Sequence, residues 1–455
     1  MPLPRPLTPP VRDLTKSRAH WQKAAQRLPL GVASTFRYWG EERTIYVARG
    51  QGGRTWDIDD NEYVDYRLGY GPAILGYADP RVDAAARAGM EVGGVFALST
   101  ERELIVADRI ASMVPAAELV RFSNSGTEAV MAALRLARAH TGRDSYLLVE
   151  GGYHGLFDAA LWMADVAEWD PASNRDPEVV PYSRGVPQTL KSLAHLVPMN
   201  DTDRLETVFR QHGNTMAAML IEPIMGNCCA ISARPDYVRR ARELCDHYGV
   251  LLIIDEVKTG FRVAKGGVQG LLGVRPDITT FAKAMGNGYP IAVVAGRADV
   301  MRTFRYGGAA HGGTYTAHSV SLAAAEECLR ILDETPALDT LAAYGARLKS
   351  GISDILTARG IVHSFSGHDS MFGVFFATEP PDDYRAWKTS DYSFYDRMAY
   401  HLHDLGVIVE PDSREPWFMC EAHGHDPLAL PQTLAAVERA VDLTLEHVAA
   451  DKAAQ

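Results

Sequence analysis

The sequence is poor in cysteine, in positive charge and in long apolar runs, and each shortage excludes something. Five cysteines in 455 residues form no CxxC pair and no metal-ligand spacing, and two of them, Cys228 and Cys229, are adjacent. This argues against a disulfide framework and predicts a reduced, cytoplasmic protein with no bound metal. No apolar run approaches the ~20 residues of a membrane helix. The opening MPLPRPLTPPVRDLTKSRAHW carries five prolines where a secretory signal would have its apolar core, and reads as a loose arm. A formal net charge of −11 leaves no surplus of cations for nucleic acid or an anionic membrane. Repeats, low-complexity tracts and coiled-coil heptads are absent. What remains is an ordinary globular mixture, 47% hydrophobic and 23% charged, long enough for about two or three domains.

Along the chain, Gly31 to Val82 alternates short β-type runs with turn signals, and Gly52-Gly53 and Asp60-Asn61 mark hairpin connections. A helix is predicted from Pro80 to about Gly93 by Val82, Ala85, Ala86 and Met90 at helical spacing. Strands and helices then alternate, the signature of a parallel sheet with covering helices. Predicted strands are Leu119 to Phe122, Tyr146 to Val149, Ala217 to Ile221, Val250 to Ile254, Ile278 to Ala282 and Ile291 to Ala295. Helices are predicted after SNSGTEA to about His140, from about Asp236 to a cap at Gly249, and from Ser319 to Leu332. Asp165 to Pro187 is polar and turn-rich, and reads as a long surface loop. The resulting division is an N-terminal arm and small-domain segment over 1–80, a large domain over 81–330 and a C-terminal α+β domain over 331–455.

Four stretches could carry chemistry. Ser125-Gly126-Thr127-Glu128 fits a capping box, and such a helix N-terminus is either an ordinary cap or an anion cradle, Gly126 letting a phosphate approach. In EGGYHG, Tyr153 could stack on a flat ring or sit in core or rim, and His154 reads as a hydrogen-bonded scaffold residue. Asp255 closes the run VLLII at the carboxyl end of a buried strand, either as a ligand-facing acid or as a structural one. Lys283, in PDITTFAKAMGNGYP, is a solvated strand-end residue or an imine-forming amine of lowered pKa. Together, each just after a predicted strand, they describe a pyridoxal phosphate (PLP) site: phosphate cradle, ring-stacking aromatic, acid for the pyridine nitrogen, and lysine.

From about Gly31 to about Val441 the chain resembles the class III PLP-dependent aminotransferases, and within them the glutamate-1-semialdehyde 2,1-aminomutase group. The motifs are RFSNSGTEA, LARAHTGRD, EGGYHG, IEPIMGN, LLIIDEVKTGFR, PDITTFAKAMGNGYP, MFGVFF and WFMCEAHG. The resemblance implies an α/β protein of PLP-dependent transferase fold type I, with a mostly parallel central sheet covered by helices. The smaller α+β domain comes from both chain ends. Lys283 would form the imine and carry the proton shift, Asp255 would pair with the pyridinium nitrogen, and Tyr153 and Val257 would flank the ring. Ser125, Gly126 and Thr127 would hold the phosphate, Thr314 would reach it across a homodimer interface, and Glu222 would be an acid near the cofactor. Ser34, Arg37, Tyr70 and Glu415 would serve the substrate, Arg37 suiting a carboxylate.

The chain departs from the mutases in a bulkier, acidic gating segment (WMADVAEWDPASNRDPEVVPYSRGVP), in His318-Ser319 after the interface threonine, in Tyr70 for a tryptophan and in Lys258 for a methionine. A mutase retains its intermediate whereas a transaminase releases a keto product. These departures point to an aminotransferase acting on a carboxylate-bearing amine, with the aminomutase as the alternative and an epimerase behind both.

Overall fold

The computed structural model describes residues 11–167, 169 and 176–454. A seven-stranded sheet runs in the order Leu119–Ser123, Ala292–Gly296, Ile278–Phe281, Leu251–Asp255, Met216–Ile221, Ser145–Val149, Ala194–Val197. Every pairing is parallel except the two made by Ala292–Gly296. The inner strands are continuous apolar runs buried on both faces, as a helix-covered parallel sheet requires. Alternate side chains go to opposite layers. Leu148, Leu220 and Ile253 pack on the helix Gly126–Thr141, while Leu147, Met219 and Leu252 pack beneath the helix Pro235–Tyr248. Gly249 ends the latter helix at φ 64°, where a side chain would be strained.

The chain ends meet in a second sheet, where Glu62–Asp65 pairs in parallel with Val407–Ile408. Gly52-Gly53 and Asp60-Asn61 turn the two antiparallel connections beside it. A three-stranded antiparallel sheet, Ser364–His368, Met371–Phe375 and Trp417–Phe418, completes the C-terminal part with the helices Ala337–Ala358 and Ala429–Ala454.

Three readings of the sequence change. The N-terminal stretch is not a loose arm throughout: Thr15–Ala24 is a helix whose first turn is held by Asp59, which accepts from the Ser17 N–H at 2.9 Å. That partner lies 42 residues away in sequence, so no local signal marks it. Residues 1–10 of the stretch lie outside the described residues. The segment after Asp165 is not all loop, since Trp162–Asp165 and Glu178–Pro181 pair antiparallel, with 168 and 170–175 outside the described residues. The edge strand Ala194–Val197 and the helix Glu101–Met113 are additional elements. Among the described residues no helix is long and apolar enough to cross a membrane, and all five cysteines are buried thiols.

Candidate active site

At the carboxyl edge of the central sheet lies a cavity of about 260 Å³ lined by Gly126, Thr127, Tyr153, His154, Asp255, Val257 and Lys283, among others. Open α/β sheets present ligands at this edge because loops and helix N-termini converge there. Asp255 is the last residue of its strand and lies in register with Thr280 on the next one. The Thr280 hydroxyl donates to Asp255 Oδ1 at 3.0 Å, and so does the Val257 N–H at 3.0 Å. The other oxygen meets His154 Nδ1 at 2.8 Å. Burial favours neutral His154, yet the Asp255 contact outweighs it and holds the imidazole pKa above its usual value. His154 thus has a structural partner, as the sequence suggests, but its other nitrogen is buried with no partner among the described residues.

Lys283 follows the strand Ile278–Phe281 and starts a short 3-10 turn. Its φ of 48° is left-handed, a conformation that costs about 1–3 kcal/mol in a non-glycine residue and tends to mark functional sites. Burial, and after it the Lys258 ammonium, bring its pKa down to about 7, against the pull of Glu415, Glu222 and Asp255. A lysine near neutrality is a nucleophile and proton carrier at physiological pH.

The phosphate end is built by the helix Gly126–Thr141. Ser125 caps it, its hydroxyl accepting from the Glu128 N–H at 3.3 Å. The reciprocal arm of the expected capping box goes elsewhere: Glu128 takes the Asn124 N–H at 2.6 Å, because the chain turns in one residue earlier. A Cβ on Gly126 would sit 2.9 Å from Val257 Cγ1, so this glycine keeps open the space between helix N-terminus and ring site. Gly126 and Thr127 line the cavity, whereas Ser125 is exposed and not among the lining residues. Buried Glu222 does not line it; its carboxylate accepts from the N–H groups of Tyr153 at 2.7 Å and Gly226 at 3.0 Å and positions both loops. Burial raises its pKa.

These features fit PLP: open N–H groups at a helix N-terminus for the phosphate, a carboxylate for the ring nitrogen, an aromatic and an aliphatic wall, and an amine of low pKa.

The substrate side is less as expected. Tyr70 and Glu415 line the cavity. Tyr70 is fixed by donating its hydroxyl to the Phe36 carbonyl at 2.6 Å. Ser34 and Arg37 are not among the lining residues, and Arg37 is exposed; Phe36 points in instead. Thr314 is exposed and also outside the lining. The structure adds Asn227, Lys258, Glu410 and Arg414. Arg414 is gripped by Asp412, which accepts from its Nε at 2.7 Å, and has spare donors. Glu410 accepts from Arg67 at 2.7 Å, and burial pushes its pKa up to about 7. Its signal was in the sequence: GVIVE, like VLLIID, is an apolar run ending in an acid.

A family model, "Aminotransferase class-III", matches residues 37–422. The glutamate-1-semialdehyde 2,1-aminomutase of Aquifex aeolicus is 36% identical, over 90% of this chain and 95% of that protein. Among solved structures, an omega-transaminase from Sphaerobacter thermophilus is 32% identical with a TM-score of 0.88, covering 94% of this chain and 97% of that one. FumI of Sphingopyxis sp. MTA144, in its PLP internal aldimine form, is 29% identical with a TM-score of 0.83, covering 96% and 98%. The chain belongs to the class III aminotransferase family.

Proposed function

We propose that this class III aminotransferase uses PLP held on Lys283 to move an amino group between a carboxylate-bearing amine and a keto acid. The observation that carries the reading is the meeting, in one cavity, of the low-pKa amine of Lys283, the Asp255–His154 pair and the Arg414 cation. When bound, PLP supplies an electron-accepting ring and a carbon that exchanges amines. Lys283 Nζ, about half neutral near pH 7, would take a proton from the substrate carbon and return it at another. Asp255 would keep positive charge on the ring nitrogen, with His154 fixing the carboxylate's orientation. Ser125, Gly126 and Thr127 would hold the phosphate, and Tyr153 and Val257 would flank the ring.

Arg414 suits the substrate carboxylate, because a guanidinium whose orientation is fixed by Asp412 still offers a fork of donors. Arg414→Ala is expected to raise KM for the amine about 10- to 100-fold, the ~1.5–3 kcal/mol of a charged hydrogen bond. Arg37→Ala, at an exposed position, should change it far less. Steady-state kinetics of the two variants decide between the arginines.

Whether the keto product leaves is the finer question. A second hollow of about 380 Å³ shares Phe36, Glu410 and Arg414 with the cavity and is also lined by half-exposed Leu156 and Tyr182. That outlet, with the altered gate and Lys258, favours release and hence transamination. The curated relatives favour the other reading, since proteins at 36–37% identity are named glutamate-1-semialdehyde 2,1-aminomutase. The PLP form, incubated with an amine panel and no acceptor, should release keto product in stoichiometric amount as the cofactor gains the amino group. Isomerisation of glutamate-1-semialdehyde without added acceptor would establish the aminomutase instead.

A homodimer completes the reading. A hollow beside Thr314 is lined by Phe96, Leu98, Leu104 and Gly313, and Leu98 and Leu104 are 82% and 63% exposed, an unusual cost for large apolar side chains. Burying them against a second copy would put the segment of Thr314 at the interface, where the resemblance expects it. Sedimentation should give twice the chain mass of 49.8 kDa, and Leu98→Glu with Leu104→Glu should yield monomer.

A further inference from the structure

A second lysine lies in the cavity, and it is spent. Lys258 Nζ donates to the Gly226 carbonyl at 2.7 Å, to Asn227 Oδ1 at 3.0 Å and to Glu415 Oε2 at 2.7 Å, which uses all three of its protons. The remaining Glu415 oxygen accepts from Asn227 Nδ2 at 2.6 Å. The side chains of Lys258 and Glu415 are only 5% and 8% exposed. Gly226 is tied in turn, through its N–H, to Glu222. The Lys258 stem passes so close to Gly226 that a Cβ there would collide with it. A methionine in this place would fill the space but leave the buried Glu415 carboxylate without its ion-pair partner, a strongly unfavourable arrangement.

We propose that Lys258 is a positioning residue that fastens Glu415 to the Gly226-Asn227 turn and cancels its charge, so that the Lys283 amine shares the cavity with no uncompensated Glu415 carboxylate. The inference rests on the reading of Lys283 as the cofactor-binding amine. The charged groups bearing most on Lys283 are Lys258, which disfavours its ammonium, and Glu415, Glu222 and Asp255, which favour it. Glu410, paired with Arg67, and Arg414, paired with Asp412, also line the cavity. Asp255 is already matched by His154, and Glu222 by two N–H groups. Glu415 is the carboxylate whose only ion-pair partner among the described residues is Lys258. Removing Lys258 therefore loses a repulsion and exposes an attraction at once, and both act to protonate Lys283. Removing the Glu415 charge as well takes away the attraction and restores the balance.

The test is the rate at which the full-length apoprotein takes up PLP onto lysine, followed by visible absorbance from pH 5.5 to 9.5, since only the neutral amine reacts. Wild type should show a rise with its midpoint near 7. Lys258→Met should move the midpoint up by about one pH unit, making uptake about fivefold slower at pH 7. The double variant K258M/E415Q should return most of the way to the wild-type profile. Lys258→Gln, which keeps a donor for the Gly226 carbonyl, serves should the methionine variant lose its near-UV circular dichroism. An unchanged midpoint in both single variants, or a double variant as impaired as K258M, would overturn the proposal and leave Lys258 a packing residue. If wild type takes up no PLP onto lysine at any pH, the functional reading falls, and this inference with it.

Discussion

Lys283→Ala is expected to abolish turnover, by about 10⁴-fold or more, while leaving the fold intact. The loss follows from two roles on one nitrogen. The amine binds the cofactor covalently, and it carries a proton, a function that alone is worth up to about 10⁴. The fold should survive because the Lys283 side chain makes no hydrogen bond among the described residues, and alanine inherits the same backbone at φ 48°. Removing a buried amine also relieves the burial cost that depresses its pKa to about 7. The check is borohydride reduction followed by peptide mass spectrometry: wild type should carry the cofactor mass on Lys283, and the variant should carry none. Lys258 is the informative competitor, since it lines the same cavity. With three acceptors on its ammonium and Glu415 beside it, it has no free electron pair. An adduct on Lys258 would reverse the assignment of the two lysines.

The contrast between those lysines shows what could be read from sequence. The large-domain strands are legible because their signals are local: β-branched runs end in Asp255 or precede Lys283, and a strand's end fixes where its last side chains go. Capping at Ser125 and termination at Gly249 are legible for the same reason. Lys258 could be noted as a departure from a family pattern, but its partner Glu415 is 157 residues away. Arg414 and Glu410 follow a two-residue strand that exists only because it pairs with Glu62–Asp65. The helix Thr15–Ala24 hid behind prolines because the acid that holds its first turn, Asp59, comes from another part of the chain. Arg37 illustrates the converse: its neighbours match a motif, but at the end of a three-residue 3-10 turn Phe36 and Arg37 face different ways, and Phe36 faces the cavity.

Asp255→Asn should cost about 10²–10³ in kcat, the scale of losing one preorganised electrostatic partner, with little change in stability. The substitution is close to isosteric. The amide oxygen can still accept from the Val257 N–H and the Thr280 hydroxyl, so the strand-end geometry at 3.0 Å for each should persist. What vanishes is the negative charge, and two readouts follow from that. First, His154 loses the contact that raises its pKa; burial then prevails, and its imidazole should titrate below the ordinary histidine value by NMR, where wild type titrates above it. Second, the loss should appear in kcat with little change in KM for the amine, since Arg414, not Asp255, is the group assigned to the substrate carboxylate. A matched loss in Asp255→Asn and His154→Gln would mean that the pair works as a unit through the charge it presents. If Asp255→Asn instead retains full kcat and merely melts earlier, Asp255 is a structural acid buried at a strand end, and the cofactor's ring nitrogen must find its partner elsewhere.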